Sequence, residues 1–366
     1  MEEIRTGSAE RVLERILECA ASEGASDIHM EPQASLVRVR FREDGVLYER
    51  FHLPLQMLSG LSVRSKGIGR LPQDGSCSAS FSGVPYDLRI SILPSLYGET
   101  IVIRLLSGQV DFIEKNELGM LPLQEAVFRK CLARKSGMIL TAGPTGSGKT
   151  STLYAALKML NREGVSIISV EDPVEYRLQG VTQVQVNEKA GLTFEKGLRS
   201  IVRQDPDIVM IGEIRDRETA EIAVHAALTG HLALSTMHTN QASDAPLRLM
   251  DMGIAPYLLS ASLSLVIAQR LAGRLCQHCK SPYILTEKEQ QALGLPETCR
   301  GCRVYQKKGC ENCHDGLKGR TGIFEMISIG RKERDLIHHG FSADRFRECM
   351  KRQGQPSMGE AALTLM

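Results

Sequence analysis

The residues with the clearest chemical signature form a run of glycines, small polar residues and one lysine. Gly143-Pro-Thr-Gly-Ser-Gly-Lys-Thr150 has the spacing G-x-x-x-x-G-K-[ST], in which glycines let backbone N–H groups converge on phosphate oxygens without Cβ clashes. Lys149 would reach the β and γ phosphates, and the Thr150 hydroxyl would bind Mg²⁺. The strand-like run before the loop and the helix-like run after it supply the context that such a loop requires. The predicted nucleotide-binding residues are Gly143, Pro144, Thr145, Gly146, Ser147, Gly148, Lys149 and Thr150.

Acidic residues follow two further strand-like runs. Asp207-Ile-Val-Met-Ile-Gly-Glu213 is an apolar strand ending in a carboxylate, at the edge of a parallel sheet where ligands bind. We predict that Glu213 contacts Mg²⁺ directly or supports one of its ligands. Glu171 and Glu175 follow the other run four residues apart and would orient a water for attack on the γ phosphate. Glu171 and Asp172 are also predicted to bind the nucleotide. Alone, Glu-Asp-Pro is an ordinary exit from a strand, but its place after the phosphate loop favours a functional role.

Two histidines bracket another apolar strand of the predicted nucleotide sheet. His231 precedes this strand and His238 follows it. Single histidines are more often surface residues or satisfied core residues. Because His238 stands at the carboxyl end of its strand, we predict that it is a polar sensor of the nucleotide.

Paired cysteines mark the segment after residue 275. Cys276-Gln-His-Cys279 and Cys310-Glu-Asn-Cys313 are C-x-x-C knuckles, and together they would place four thiolates on one tetrahedral Zn²⁺. A third pair, Cys299 and Cys302, would replace one of these knuckles or consist of free thiols. The spacing favours the outer pairs. With four protein ligands the metal would have a structural role, because no open position remains for chemistry.

The elements that must position these residues alternate in type. Residues 1–107 contain an amphipathic helix at 9–21 and several strand-like runs, and they predict a small α/β domain followed by a polar connection at 108–118. From residue 119, helical and short apolar strand-like segments alternate, which indicates a mostly parallel sheet covered by helices. The uncharged stretch Met252 to Gln269 is predicted to be a buried helix, since a glycine, a proline and three serines argue against a membrane span.

The overall charge argues against general attraction to polyanions, although local basic patches stay possible. With 45 Lys plus Arg against 43 Asp plus Glu, the formal net charge is +2, which is too balanced to attract nucleic acid or anionic lipid over the whole surface. We therefore expect no direct sequence-specific nucleic-acid binding. The first residues are acidic and lack the apolar core of a secretory signal, and ten cysteines suggest thiols or metal ligands, so a cytoplasmic location is expected.

Several motifs together resemble the type II secretion and type IV pilus assembly ATPases. Residues 143–150, 170–176, 203–216 and 229–240 are similar to the family's Walker A, Asp box, Walker B and His box, in the family's order. Gly24-Ala-Ser-Asp-Ile-His29, Arg70-Leu-Pro-Gln-Asp-Gly75, Arg89-Ile-Ser-Ile-Leu-Pro94 and Gly319-Arg-Thr-Gly-Ile-Phe-Glu325 match as well. The resemblance covers nearly the whole chain.

The resemblance implies a homohexameric motor that works with a polytopic inner-membrane platform protein at the cytoplasmic face of the membrane. Glu175 would be the catalytic base, Glu213 the Walker B carboxylate, and His231 and His238 the His-box pair. Arg89 and Arg104 of the N-terminal domain would close on the γ phosphate. The implied organisation is a PAS-like α/β domain at 1–107, a linker at 108–118, a RecA-like P-loop ATPase core at 119–275, a tetracysteine zinc module at 276–324 and a C-terminal helical segment at 325–366.

The sequence leaves open which member of this family the chain resembles most, and two functions outside filament assembly. Secretion and pilus-assembly members usually carry an additional N-terminal domain, and we expect a short form without it here. The short form resembles the ATPase of competence pili, which take up DNA, or that of small pseudopilus systems. Retraction ATPases are similarly short but lack the cysteine module. A DNA-translocating helicase with the same core is disfavoured by the absence of a basic, aromatic-interleaved groove. A nucleotide-gated scaffold without turnover is disfavoured by the complete acidic and histidine boxes.

Overall fold

The computed structural model describes residues 8–65, 72–107, 118–292, 295, 297 and 301–365. Residues 108–117 of the predicted linker lie outside the described residues, as do Arg70, Leu71 and Cys299. The chain divides into two units, Met1–Asp111 and Phe112–Met366.

The N-terminal unit is an antiparallel sheet with helices. Its helices are α1 (Ala9–Glu23) and α2 (Leu58–Ser65), with a short 3₁₀ turn at Leu55–Met57. Its strands are β1 (Asp27–Pro32), β2 (Leu36–Glu43), β3 (Val46–Pro54), β4 (Gln73–Phe81), β5 (Val84–Ser95) and β6 (Gly98–Ser107). They pair in the order β3-β2-β1-β6-β5-β4.

Local sequence accounts for the first half of this unit. Helix α1 begins after Ser8, whose side chain accepts a hydrogen bond from the Arg11 N–H, and ends at Gly24, which adopts φ 71°. The predicted hairpin forms at Asp44 and Gly45, both with positive φ, as a tight turn between twisted strands requires. The apolar face of α1 is buried in the core of this unit.

The C-terminal unit carries the phosphate-binding loop. Its helices are α3 (Pro122–Leu132), α4 (Lys149–Leu160), α5 (Phe194–Ile201), α6 (Arg217–Leu228), α7 (Asp244–Asp251), α8 (Pro256–Ser262), α9 (Glu287–Ala292), α10 (Arg331–His339), α11 (Ala343–Arg352) and α12 (Met358–Thr364). Its strands are β7 (Gly137–Ala142), β8 (Ile167–Glu171), β9 (Thr182–Gln185), β10 (Ile208–Ile211), β11 (Leu232–Met237), β12 (Leu263–Leu275), β13 (Ser281–Ile284), β14 (Arg303–Gln306) and β15 (Leu317–Ser328). A 3₁₀ turn spans Glu188–Ala190.

Seven of these strands form the central sheet, in the order β15-β12-β7-β11-β10-β8-β9. All neighbours are parallel except β12 and β15, which pair antiparallel. Every residue of β7, β10 and β11 is buried, as expected for strands covered on both faces. The mostly parallel α/β core predicted from the alternating segments is confirmed, and the carboxyl ends of β7, β8, β10 and β11 meet at one edge.

The uncharged stretch at Met252 to Gln269 is not one helix. Helix α8 ends at Ser262, and strand β12 begins at Leu263 and runs between β7 and β15. The prediction was wrong because a strand buried on both faces is a continuous apolar run without alternation, which periodicity cannot distinguish from a buried helix. Within the described part of the chain, no helix combines the length and apolar character needed to cross a membrane.

The cysteine-rich segment is inserted between two strands of the central sheet. It leaves the sheet at Leu275, the last residue of β12, and returns at Leu317, the first residue of β15. Between them, β13 and β14 form a separate antiparallel pair. The predicted boundary between the zinc module and the C-terminal segment, at residues 324 and 325, falls inside β15. The cysteine segment is therefore joined to the nucleotide core through the long antiparallel strands β12 and β15, which we call the β12–β15 hairpin.

Candidate functional site

The phosphate-binding loop connects the carboxyl end of β7 with the start of α4. Gly146 and Gly148 adopt φ 76° and 86°, the left-handed region that side chains with a Cβ rarely enter. The Lys149 Nζ donates to the carbonyl oxygens of Gly143, at 2.7 Å, and Pro144, at 2.9 Å. Among the residues that the structure describes, the buried Ser147 hydroxyl has no hydrogen-bond partner. The loop therefore has donors available for phosphate oxygens.

The ammonium group of Lys149 is partly shielded from solvent. Burial lowers the pKa of Lys149, the Glu213 carboxylate opposes this effect, and Arg270 adds to it. The side chain is only 8% exposed. An anion brought against the ammonium group would replace the solvation that burial removes.

A cavity of about 710 Å³ opens beside the loop. It includes most of the predicted site together with residues to which the sequence assigned no role, among them Leu153, Tyr176, Arg215, Leu271 and Arg320. The predicted residues in its lining are Thr145, Gly146, Ser147, Gly148, Lys149, Thr150, Glu171, Asp172, Glu175, Glu213 and His238. The strand order thus collects residues from four separate segments at one edge of the sheet.

Glu213 and His238 meet because their strands are neighbours. The Thr236 hydroxyl donates to the Gly212 carbonyl at 2.7 Å and fixes the chain beyond β10 against β11. The His238 Nε2 then lies 3.1 Å from Glu213 Oε2. This contact joins the predicted metal carboxylate to the predicted sensor.

Arg215 also binds the Glu213 carboxylate, and it lies 3.9 Å from Asp172 Oδ2. Burial alone would raise the pKa of Glu213, but the hydrogen bonds and charges of Arg215 and His238 hold it below its usual range. Glu213 is therefore ionised at neutral pH, as a ligand of Mg²⁺ must be.

Glu171 and Glu175 occupy different environments although they are close in sequence. Glu171 is 2% exposed, and its carboxylate accepts hydrogen bonds from Tyr154, Ser169 and Gln183. Glu175 is half-buried and lines the cavity. Because Glu175 is the more exposed of the two carboxylates, it is better placed than Glu171 to contact a water.

His231 lies at the other end of β11 from His238. Its Nδ1 contacts the Ala226 carbonyl oxygen at 3.0 Å and the Thr229 hydroxyl at 3.3 Å. The strand register places Leu232 beside Gly137, at the start of β7, whereas the phosphate loop follows the end of β7. Within one chain, the structure does not bring His231 to the cavity.

Arg89 and Arg104 belong to the N-terminal unit, where they face each other in the register of β5 and β6. Asp27 lies beside Arg104 on β1, and the Arg104 Nε donates to Asp27 Oδ1 at 3.1 Å. Arg42 contacts the same carboxylate at 3.6 Å from the opposite side. Asp27 therefore positions Arg104. It belongs to the motif at residues 24–29, but the sequence alone assigned it no role. The closing of these arginines on a phosphate stays a prediction.

The four cysteines of the outer knuckles form one cluster. The Sγ atoms of Cys276, Cys279, Cys310 and Cys313 lie within 4.8 Å of one another, and Cys276 is fully buried. Three of the separations are 3.9, 3.6 and 3.6 Å. Tetrahedral Zn²⁺ with Zn–S bonds of about 2.3 Å requires about 3.8 Å between sulfurs, so the donor set fits this metal. Cys302 is exposed and is not part of the cluster.

The close packing around Gly148 gives a direct test of the loop. A Cβ at Gly148 would lie 2.8 Å from the Gln269 Nε2 and 3.3 Å from Leu271, whereas a Cβ at Gly164, which has the same φ of +86°, would meet no atom of the described residues within 4 Å. Both alanine variants carry the backbone strain, but only the methyl group of Gly148→Ala also clashes with buried side chains, so that Gln269 or the loop must shift. We expect Gly148→Ala to weaken binding of a fluorescent ATP analogue by about 10- to 100-fold. Gly164→Ala is expected to bind as the wild type does, and equal binding by both variants would contradict the loop assignment.

Comparison with known proteins agrees with this geometry. The family described as "Type II/IV secretion system protein" matches residues 2–365. The type II secretion system protein E of Aeromonas hydrophila is 47% identical over 336 residues, which cover 90% of this chain and 67% of that protein. The type IV pilus assembly ATPase PilB of Myxococcus xanthus is 44% identical over 97% of this chain and 65% of its own length. The Legionella pneumophila ATPase DotB has a similar fold, with a TM-score of 0.73 over 98% of this chain and 92% of that one, at 21% identity.

Proposed function

The chain belongs to the Type II/IV secretion system protein family, and we propose that it is a hexameric motor whose ATP hydrolysis drives assembly of a filament of the pilus type. The chain is an ATPase, as its relatives and its fold neighbours are. The filament proposed is a type IV pilus, a competence pilus or the pseudopilus of type II secretion.

One observation carries the proposal: a single cavity combines a phosphate-binding loop with two carboxylates suited to different tasks. Glu213 is an ionised carboxylate bonded to His238, and Glu175 lines the same cavity from another segment. A site that only held a nucleotide would need the loop but not this second set of residues.

The residues divide the reaction among themselves. Lys149 and the N–H groups of the loop would bind the β and γ phosphates, and Thr150 and Glu213 would hold Mg²⁺. When bound, Mg²⁺ supplies positive charge that neutralises the developing charge on the phosphates. Glu175 would orient the attacking water and accept its proton, while His238 would report the state of the γ phosphate through Glu213.

Assembly into a hexamer is part of the proposal. The arginines of the N-terminal unit, Arg89 and Arg104, would close on the γ phosphate, and the metal held by the four cysteines would stabilise the loop-rich segment between β12 and β15. The partner would be a polytopic inner-membrane platform protein, which would hold the motor at the cytoplasmic face of the membrane.

The proposed motor can be tested by measuring phosphate release per chain as the protein concentration is raised, with the mass followed by analytical ultracentrifugation. Hydrolysis should rise as hexamers form, because the proposed active unit is the assembled ring. A rate per chain that is the same for monomers and hexamers would contradict the motor. If single-stranded DNA strongly stimulated turnover, a DNA-translocating helicase would become the better assignment.

A further inference from the structure

One buried hydroxyl lies at the junction of three segments that the reaction uses. Tyr154 is the sixth residue of α4, the helix that begins with Lys149, and its side chain is fully buried. The hydroxyl donates to Glu171 Oε2 at the carboxyl end of β8. It also accepts hydrogen bonds from the backbone N–H groups of Glu175 and Tyr176, each at 3.3 Å.

The surroundings hold this hydroxyl in one position. Glu171 is itself fixed, because its Oε1 accepts from the Ser169 hydroxyl at 2.5 Å and the Gln183 amide at 3.2 Å. The Tyr154 ring packs edge-on against the Tyr176 ring, with centroids 5.6 Å apart. Burial and the adjacent Glu171 carboxylate raise the pKa of Tyr154, so the hydroxyl stays protonated and remains a donor.

We propose that Tyr154 is a positioning residue that ties the backbone of Glu175 to the phosphate-loop helix through its hydroxyl and the Glu171 carboxylate. The inference rests on the proposed role of Glu175 as the base. The Glu175 side chain extends from a turn that lacks regular secondary structure, so its position depends on contacts such as these. A shift of α4 on phosphate binding would be passed directly to Glu175.

A merely structural role is the competing interpretation, since a buried tyrosine needs a hydrogen-bond partner in any core. The two interpretations differ in what Tyr154→Phe changes, because this variant keeps the ring and removes only the hydroxyl. A structural role predicts a loss of thermal stability without a specific loss in kcat. A positioning role predicts that nucleotide binding survives while turnover fails.

The kinetic experiment compares Tyr154→Phe with Tyr257→Phe, a control at an exposed tyrosine. We expect kcat of Tyr154→Phe to fall by about 10- to 100-fold, the scale of a misplaced catalytic group, while the Kd for a fluorescent ATP analogue stays within about 3-fold. In Tyr154→Phe combined with Glu175→Gln, the two losses should not add, because both act on the same group. Fully additive losses, or an unchanged kcat, would overturn the proposal.

A second measurement does not depend on hydrolysis. Hydrogen exchange of the full chain should show faster exchange in peptides covering residues 172–178 of Tyr154→Phe, since two N–H groups lose their acceptor. Unchanged exchange there would refute the tie even if Glu175 proved not to be the base. Conversely, faster exchange in Tyr154→Phe together with full activity of Glu175→Gln would support the tie and show that Glu175 is not the base. If Tyr154→Phe does not fold, Glu171→Gln serves instead, because it weakens the same hydrogen bond. Its kcat should fall by a smaller factor than expected for Tyr154→Phe, while its Kd for the ATP analogue stays nearly unchanged. An unchanged kcat in Glu171→Gln would count against the tie.

Discussion

Replacing Glu175 by glutamine should lower kcat by about 10²- to 10⁴-fold while leaving the Kd for ATP nearly unchanged, because the amide keeps the shape of the side chain but cannot accept a proton. The reason lies in the placement of the two carboxylates on this segment. Both carboxylates line the cavity with Lys149 and Glu213, but Glu171 is buried and accepts hydrogen bonds from three internal donors, whereas Glu175 is half-buried. The measurement is steady-state phosphate release at saturating Mg–ATP.

The matched control for this variant is Glu163→Gln, which makes the same chemical change at an exposed position outside the cavity. It should hydrolyse ATP at the wild-type rate. Hydrolysis by Glu175→Gln at the rate of the control would contradict the assignment of the base and would leave Glu213 or a water network as the candidate.

Loss of the tetracysteine site should have the largest effect on stability. The double variant Cys276→Ser/Cys310→Ser removes one thiolate from each knuckle, so we expect zinc content to fall from one per chain to near zero. Losing a structural metal is expected to lower the free energy of unfolding by more than about 4 kcal/mol. For a unit of this size, that corresponds to a fall of about 8 to 16 °C in the Tm.

The exposed Cys302 provides the control for this prediction. Cys302→Ser should keep both its zinc and its Tm, because Cys302 is not part of the cluster formed by the outer pairs. Metal analysis by mass spectrometry checks both variants. Loss of zinc from Cys302→Ser, or its retention by the double variant, would contradict the assignment of the outer pairs.

The effect of the metal should extend to the nucleotide core because of where the cysteine segment joins the sheet. Cys276 follows β12 directly, and Leu271 on β12 lines the nucleotide cavity. Arg320, on β15, lines the cavity as well. The β12–β15 hairpin therefore connects the two sites through strands that are hydrogen-bonded over most of their length.

Much of the nucleotide site could be predicted from the sequence because its residues lie in short local motifs. The glycines of the loop at 143–150 indicate its conformation directly, and Glu213 and His238 each follow an apolar strand. Parallel strands bring their carboxyl ends to one edge, so the meeting of these two residues follows from topology alone. The two C-x-x-C knuckles carry the same kind of local signal.

Other features depend on tertiary contacts that leave no local pattern. Tyr154 has the sequence signature of an ordinary core residue of a helix, and only the packing of α4 against Glu171 shows that its hydroxyl has partners. His231 carries the same motif signal as His238, but strand direction places it at the far end of β11. The strand Leu263–Leu275 could not be distinguished from a helix in the sequence, because burial on both faces removes the alternation of apolar and polar residues that identifies strands.

Phosphate release by the purified wild-type protein, with Glu175→Gln as the reference, is the most direct test of ATP hydrolysis in this cavity. A motor that hydrolyses ATP in this cavity predicts sustained release from the wild type and almost none from a variant that still binds the nucleotide. Binding of ATP by the wild type without any release of phosphate would contradict the claim, and it would identify the assembly as a nucleotide-gated scaffold.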